Sequence, residues 1–358
     1  MRRLPMPRKA NLIPVHNTRD QQRRRGIGIQ GLCQFLAVSV VATCFLCKPA
    51  HADEDSLMSG FGLGGYSSAT VNSHPGGHVD ASLNELSLFL KWEGDSRFRF
   101  FSELEIEKPL VRSRKGNIST QDAFFDVERL YFDYNLSEKI NLRAGRFLTP
   151  AGRWNLIHAA PLQWTASRPL VTSRLFAESV SGVMLYGAQP FADQALEYTV
   201  YMEAMQDSDR DKDDRIPYQD TKGLRLQLTG KVKLGFSLLE TVEDLDVKTR
   251  YRMAGVDFFI EHHGWEYSGE FLERTYTNGH DGGGGAYLQG VAPLGNRWFG
   301  IARVETFNRP AEGSSERWVL GTAWRMTPGQ VLKMEYVGGD KERVESPKGF
   351  LASFAILF

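Results

Sequence analysis

Past Ala52 the chain is a succession of period-two segments of about ten residues, and the gaps between them alternate in length. Short gaps fall at 93–97, 135–139, 189–194, 229–231, 262–264, 293–296 and 327–330. Long ones fall at 72–79, 108–121, 148–178, 207–220, 240–249, 275–284, 308–315 and 338–348. Seven short and eight long gaps separate 16 strands. A soluble sandwich has no reason to sort its connections this way, whereas strands that cross a bilayer turn tightly on one side and loop freely on the other. No apolar run after Ala52 is long enough for a membrane-crossing helix, so membrane residence requires a closed antiparallel barrel in which every backbone group is paired. The expected fold class is all-β, a transmembrane barrel of about 16 strands of 9 to 11 residues.

The alternation is carried by apolar residues on one face. Leu86, Leu88, Leu90 and Trp92 share a side, as do Leu224, Leu226 and Leu228, and then Val232, Leu234, Phe236 and Leu238. In the segment from Arg97 to Ile106 the apolar face is Phe98, Phe100, Leu104 and Ile106, while Arg97, Arg99, Glu103 and Glu105 point the other way. Gly282 to Gly285 reads as flexible loop. The chain ends on an alternating strand that finishes with Phe358.

Residues 1–52 read as a cleaved export signal. A basic stretch precedes the apolar run Leu32 to Cys47, and Ala50-His51-Ala52 supplies a small-x-small cleavage pattern, leaving 53–358 as one barrel domain. Cys33, Cys44 and Cys47 all lie in that signal, which removes thiolate chemistry and disulfides from the mature chain. Nine Lys/Arg and one Asp leave with it, so the balance of 43 basic and 43 acidic residues becomes 34 and 42, a net charge of −8. A mildly acidic chain argues against nucleic acid as a partner.

The stretch Arg129 to Asn155, continuing through His158 and Trp164 to Arg168-Pro169, resembles bacterial porins, in particular phosphate-selective and porin-like members. The resemblance implies a water-filled outer-membrane channel for small hydrophilic solutes, frequently trimeric, whose third external loop folds inward. It also implies that Phe358 is read by the barrel-assembly machinery. The third long gap is here the longest, and it is rich in aromatic and apolar residues (Trp154, Leu156, Ile157, Leu162, Trp164) that suit burial better than water. Packing over a neighbouring subunit would bury them too.

By alternation Arg99, Arg129, Arg143 and Arg146 decorate one sector of the lumen, Arg146 returning inward if Gly145 forms a bulge. The long loop adds Arg153, Arg168 and Arg174 against Glu178. Guanidinium groups at a constriction guide anions, phosphate-like ones among them; paired with Glu103, Glu105 and Asp133 they would merely brace the wall. Glu197, Glu203, Asp257, Glu261, Glu266 and Glu270 also read as inward and could balance the arginines across the pore. Asp207, Asp209, Asp211 and Asp213 place carboxylates at every second position, but Lys212 stands where a calcium loop needs Gly, so a solvated external loop is expected. His262 and His263 are adjacent and point to opposite faces of a strand, and no nucleophile motif occurs. No cofactor or enzymatic activity is expected. A structural or protein-docking barrel, or a barrel hydrolase, is the alternative.

Overall fold

In the computed structural model the described residues are 60–94, 97–112, 116–172, 175–206, 217–244, 247–310, 313–340 and 348–358. The segment 1–52 read above as an export signal, Arg174 and the four aspartates Asp207, Asp209, Asp211 and Asp213 lie outside them. The first half of the wall consists of β1 (Phe61–Ser73), β2 (Val79–Glu93), β3 (Phe98–Arg112), β5 (Phe124–Ser137), β6 (Ile140–Leu148), β7 (Ser179–Phe191), β8 (Gln194–Glu203) and β9 (Tyr218–Thr229), with a two-residue β4 (Ile118–Ser119) pairing only with β3. The second half comprises β10 (Val232–Asp244), β11 (Lys248–His262), β12 (Trp265–Tyr276), β13 (Asp281–Gly295), β14 (Trp298–Arg309), β15 (Gly313–Thr327), β16 (Gln330–Gly339) and β17 (Gly349–Leu357). Every wall strand pairs antiparallel with its chain neighbours, and β17 closes on β1, leaving no free edge. The wall therefore has the 16 strands that the gap pattern requires. Phe358 extends the closure, exchanging two backbone hydrogen bonds of 2.9 Å with Gly65.

The faces are inverted relative to a water-soluble protein. On β14 Val304 is 58% exposed, while its neighbours Arg303 and Glu305 are 1% and 4% exposed. The same inversion holds along β10, where Leu234, Phe236 and Leu238 are outside and Ser237 and Thr241 are buried. Apolar side chains outside and charged ones within is the order a hydrocarbon surround selects. Aromatic residues collect on the outer face beside the short turns: Phe98 against Tyr134 at 4.7 Å, and Trp298 stacked on Trp324 at 5.5 Å. Trp318 and Tyr336 pair at 5.6 Å nearer the long loops. Such girdles sit where the hydrocarbon gives way to headgroups.

Three local expectations are corrected. The strands run from 9 to 15 residues rather than 9 to 11, because the ladders continue past the apolar belt toward the long loops. Gly282 to Gly285 belong to β13; a side chain at Gly285 would meet the carbonyl of Thr306 at 2.3 Å, so these glycines permit close strand approach rather than flexibility. Gly145 makes no bulge. Its ladders with β5 and β7 pass through Gly145 without a register shift, and it is glycine because φ is +131° and a Cβ would strike the carbonyl oxygen of Leu130 at 2.1 Å. Arg146 therefore shares its cross-strand row with Leu130 and Ser181, alternating with the row of Arg143. A bulge occurs one strand earlier, where the β3–β5 register passes from Glu103 opposite Arg129 to Leu104 opposite Val127 and so steps over Glu128.

Candidate functional site

The polar face of the wall is organised around the segment between β6 and β7, residues 149–178. Three short 3-10 turns (Trp154–Leu156, Ala160–Leu162, Leu170–Thr172) shape it, and most of its apolar side chains are buried. Trp154, Leu170, Val171, Leu175 and Phe176 form one cluster with Leu239, Met253, Leu272, Tyr287 and Phe307 of β10 to β14.

Its backbone polar groups are met by charged side chains from distant strands. Glu270 of β12 accepts from the N–H groups of Arg153 (3.0 Å) and Trp154, and Glu305 of β14 accepts from Leu170 N–H at 2.6 Å. Glu335 of β16 accepts from Ala166 and Ser167 at 2.9 and 2.8 Å. In the opposite sense Lys333 donates to the carbonyls of Ala160 (2.7 Å) and Thr165 (3.3 Å), and Arg303 donates to the Thr165 hydroxyl (2.7 Å) and the Ser167 carbonyl (3.1 Å). The Trp164 indole N–H donates to Glu266 at 2.7 Å. A loop this rich in buried backbone needs such partners, because each unpaired group would cost about 1–3 kcal/mol.

On the near side, His158 reaches Glu128 (3.7 Å) and Glu105 (3.9 Å). Burial alone would lower its pKa, but Glu128, Glu105 and Glu103 outweigh that and hold it up at about 9, so it is an imidazolium at neutral pH. Glu128, at the register shift between β3 and β5, also accepts from the Ser179 hydroxyl at 3.1 Å.

The arginines expected from sequence divide into groups. Arg99, Asp133 and Arg143 occupy one cross-strand row of β3, β5 and β6, and Arg143 forks onto Asp133 with bonds of 2.8 and 2.9 Å while its guanidinium lies 3.7 Å over the Tyr131 ring. Arg129 pairs with Glu103 at 2.5 Å. Arg168 pairs with Glu178 at 2.5 Å and also donates to Asn155 (3.0 Å) and the Thr172 carbonyl (2.9 Å), tying the two ends of the loop together. Arg153 instead lies over the Phe259 ring at 3.9 Å, and burial holds its pKa below the ordinary value.

Sequence reading passed over Arg225 of β9, which is buried and bonded to Asp257 at 2.6 Å and Ser237 at 2.9 Å. Together with Arg129, Arg143 and Glu197 it lines a cavity of about 280 Å³ beside Pro150 and Leu156 of the loop. A second cavity of about 290 Å³, on the other side of the loop, is bordered by Arg153, Glu266 and Arg325. Arg303, Glu305, Lys333 and Glu335 were also missed. The signal was present, since each alternates with outward apolar residues in the segments Ala302 to Glu305 and Leu332 to Tyr336.

No family model matches the chain. An uncharacterised protein of Aquifex aeolicus is 31% identical over 143 residues, 39% of this chain, and the match spans only about a third (32%) of that relative's length. Among solved structures, an anion-selective porin from Comamonas acidovorans superposes with a TM-score of 0.56 over 83% of this chain and 98% of its own, at 12% identity. The outer membrane protein OmpT of Vibrio cholerae gives 0.58 over 83% and 97%, at 10% identity. Salmonella typhi OmpF in complex with daunomycin gives 0.56 over 83% and 97%, at 9% identity. Identities this low speak to architecture alone, and the architecture of this chain is that of the 16-stranded porin barrel.

Proposed function

We propose that this protein is a bacterial outer-membrane porin, a non-enzymatic channel for passive diffusion of small hydrophilic solutes, narrowed by the segment 149–178 lying across its lumen. The observation that carries the proposal is the span of that segment. It leaves the wall at β6 and β7, yet its backbone is bonded to Glu270, Glu305, Lys333 and Glu335 on β12, β14 and β16, on the far side of the ring and on the polar face. A loop so placed leaves room on either side, consistent with the cavities at Arg129–Arg225 and at Arg153–Arg325.

The outer-membrane assignment is supported by the closed barrel, the outward apolar face and the aromatic girdles. Export through a cleaved segment 1–52, assembly signalled by Phe358 and trimerisation, as in porins generally, complete the proposal. Selectivity follows from the pairing. Arg129, Arg143 and Arg225 each answer a wall carboxylate, so they present guanidinium N–H groups with little net charge, and a modest anion preference results that singles out no particular anion. The Comamonas relative is an anion-selective porin, which agrees with that sign.

Planar-bilayer recording of the refolded protein is the decisive test. Discrete ohmic steps are expected. Insertion without steps would overturn the channel and leave a structural or docking barrel.

A further inference from the structure

The hairpin turn between β1 and β2 carries a compact set of metal-ligating side chains that the channel does not use. The register places Asn72 directly opposite Asp80, with His74 and His78 between them on the turn. The backbone folds tightly: His74 N–H donates to the His78 carbonyl at 3.1 Å, Gly77 N–H donates to the His74 carbonyl at 3.0 Å, and Gly77 adopts φ +78°. The result is two imidazole rings stacked at 4.3 Å between centroids and inclined by 20°. His74 Nε2 lies 2.8 Å from Asp80 Oδ2 and 3.0 Å from the Asn72 amide nitrogen. One potential ligand atom from each of His74, His78 and Asp80 falls within 4.8 Å of the others.

Two polar atoms in this set are shielded from solvent and unbonded among the described residues, His78 Nε2 and Asn72 Oδ1. Buried polar atoms are normally satisfied, so a pair of them beside a third ligand atom asks for a partner. The geometry points to a site for a single zinc-class divalent cation at this rim, held by His74, His78 and Asp80 with the Asn72 carboxamide or water in the fourth position. Two imidazole nitrogens and one carboxylate are a donor set for borderline ions such as zinc rather than for calcium or magnesium, which prefer oxygen throughout. Zinc bonds of about 2.0–2.2 Å set tetrahedral ligand atoms roughly 3.5 Å apart, so ligand atoms that now lie within 4.8 Å of one another would settle to that spacing by side-chain rotation about the turn. The long loops of outer-membrane barrels face outward, so under the proposed orientation the ion would be taken from the external medium and would clasp β1 to β2 at the mouth.

The test is zinc titration of the full protein, purified without a polyhistidine tag and folded in detergent, in competition with a chromophoric chelator. One ion per chain is expected, undisturbed by excess calcium or magnesium, with zinc-edge X-ray absorption showing two imidazole ligands. His78→Gln and Asp80→Asn should each weaken binding by about 10-fold or more. The paired variant His262→Gln/His263→Gln, at the other close histidine pair (rings 4.0 Å apart), should bind as wild type. Failure of the wild type to retain zinc, unchanged affinity in a folded His78→Gln protein, or loss of binding in the His262/His263 variant would each overturn the site. Folding is checked in every variant by heat-modifiable electrophoretic mobility. Binding is read independently of conductance, so a barrel that does not conduct leaves this test intact.

Discussion

The backbone N–H of Ser167 donates to Oε1 of Glu335 at 2.8 Å, joining positions 168 residues apart in the chain. Ala166 N–H binds the other oxygen of the same carboxylate at 2.9 Å, so one side chain secures two consecutive peptide groups. Such a bidentate clamp is stronger than two independent neutral bonds, because the acceptor is ionised and its two oxygens match the spacing of adjacent donors.

Glu335→Ala should therefore release the middle of the segment 149–178. Two buried N–H groups would lose their acceptor, at about 1–3 kcal/mol of stability. Single-channel recording should show larger or noisier steps than wild type, and urea titration in detergent should show the loss of stability. Wild-type conductance with wild-type noise would mean that the segment does not limit the pore.

A pH effect is expected from His158, which faces Glu103 and Glu105 on β3, Glu128 on β5 and, further off, Glu85 on β2. Its folded pKa of about 9 lies above the unfolded value of about 6.5, so its contribution is complete below about 6.5 and disappears as pH rises through about 9. Stability of the wild type should fall across that window relative to His158→Gln, whose profile there should be flatter. Parallel profiles from pH 6 to 10 would show that the imidazolium does not anchor the loop.

Arg153 and Arg168 should behave differently. Arg153→Ala removes a guanidinium that packs on Phe259 and borders a cavity, so the reversal potential in a salt gradient should move toward cation preference with little loss of stability. Arg168→Ala removes the tie to Glu178, Asn155 and Thr172, and its principal effect should be on stability. Unchanged reversal potentials in Arg153→Ala would remove this residue from the selectivity of the pore.

The outward face predicts its own sensitivity. Leu288 lies at the middle of β13 and is half exposed, so Leu288→Arg would place a charge near the bilayer midplane at about 2–4 kcal/mol. Folding into lipid vesicles, followed by mobility shift, should be reduced accordingly. Folding as efficient as wild type would be inconsistent with Leu288 facing hydrocarbon.

The residues of this chain determine its architecture nearly unaided. Alternation is local, with a period of two, and it can be read wherever Val304 stands between Arg303 and Glu305 or Phe236 between Gly235 and Ser237. The gap lengths likewise sit in plain order along the chain, so strand number and the two ends of the barrel were legible. Partnership was not. That Arg129 answers Glu103 could be suspected from neighbouring strands, but Arg225 meets Asp257 across the intervening β10, and that Glu335 holds Ser167 depends on ring closure and on the path of residues 149–178. Local spacing also misplaced Gly145 and Gly285, because a glycine demanded by close strand approach looks the same in sequence as one that bends or loosens the chain. Only the tertiary structure decides these points, since contacts that skip a strand, reach from the long loop to the far strands or press two backbones together leave no periodic trace in the chain.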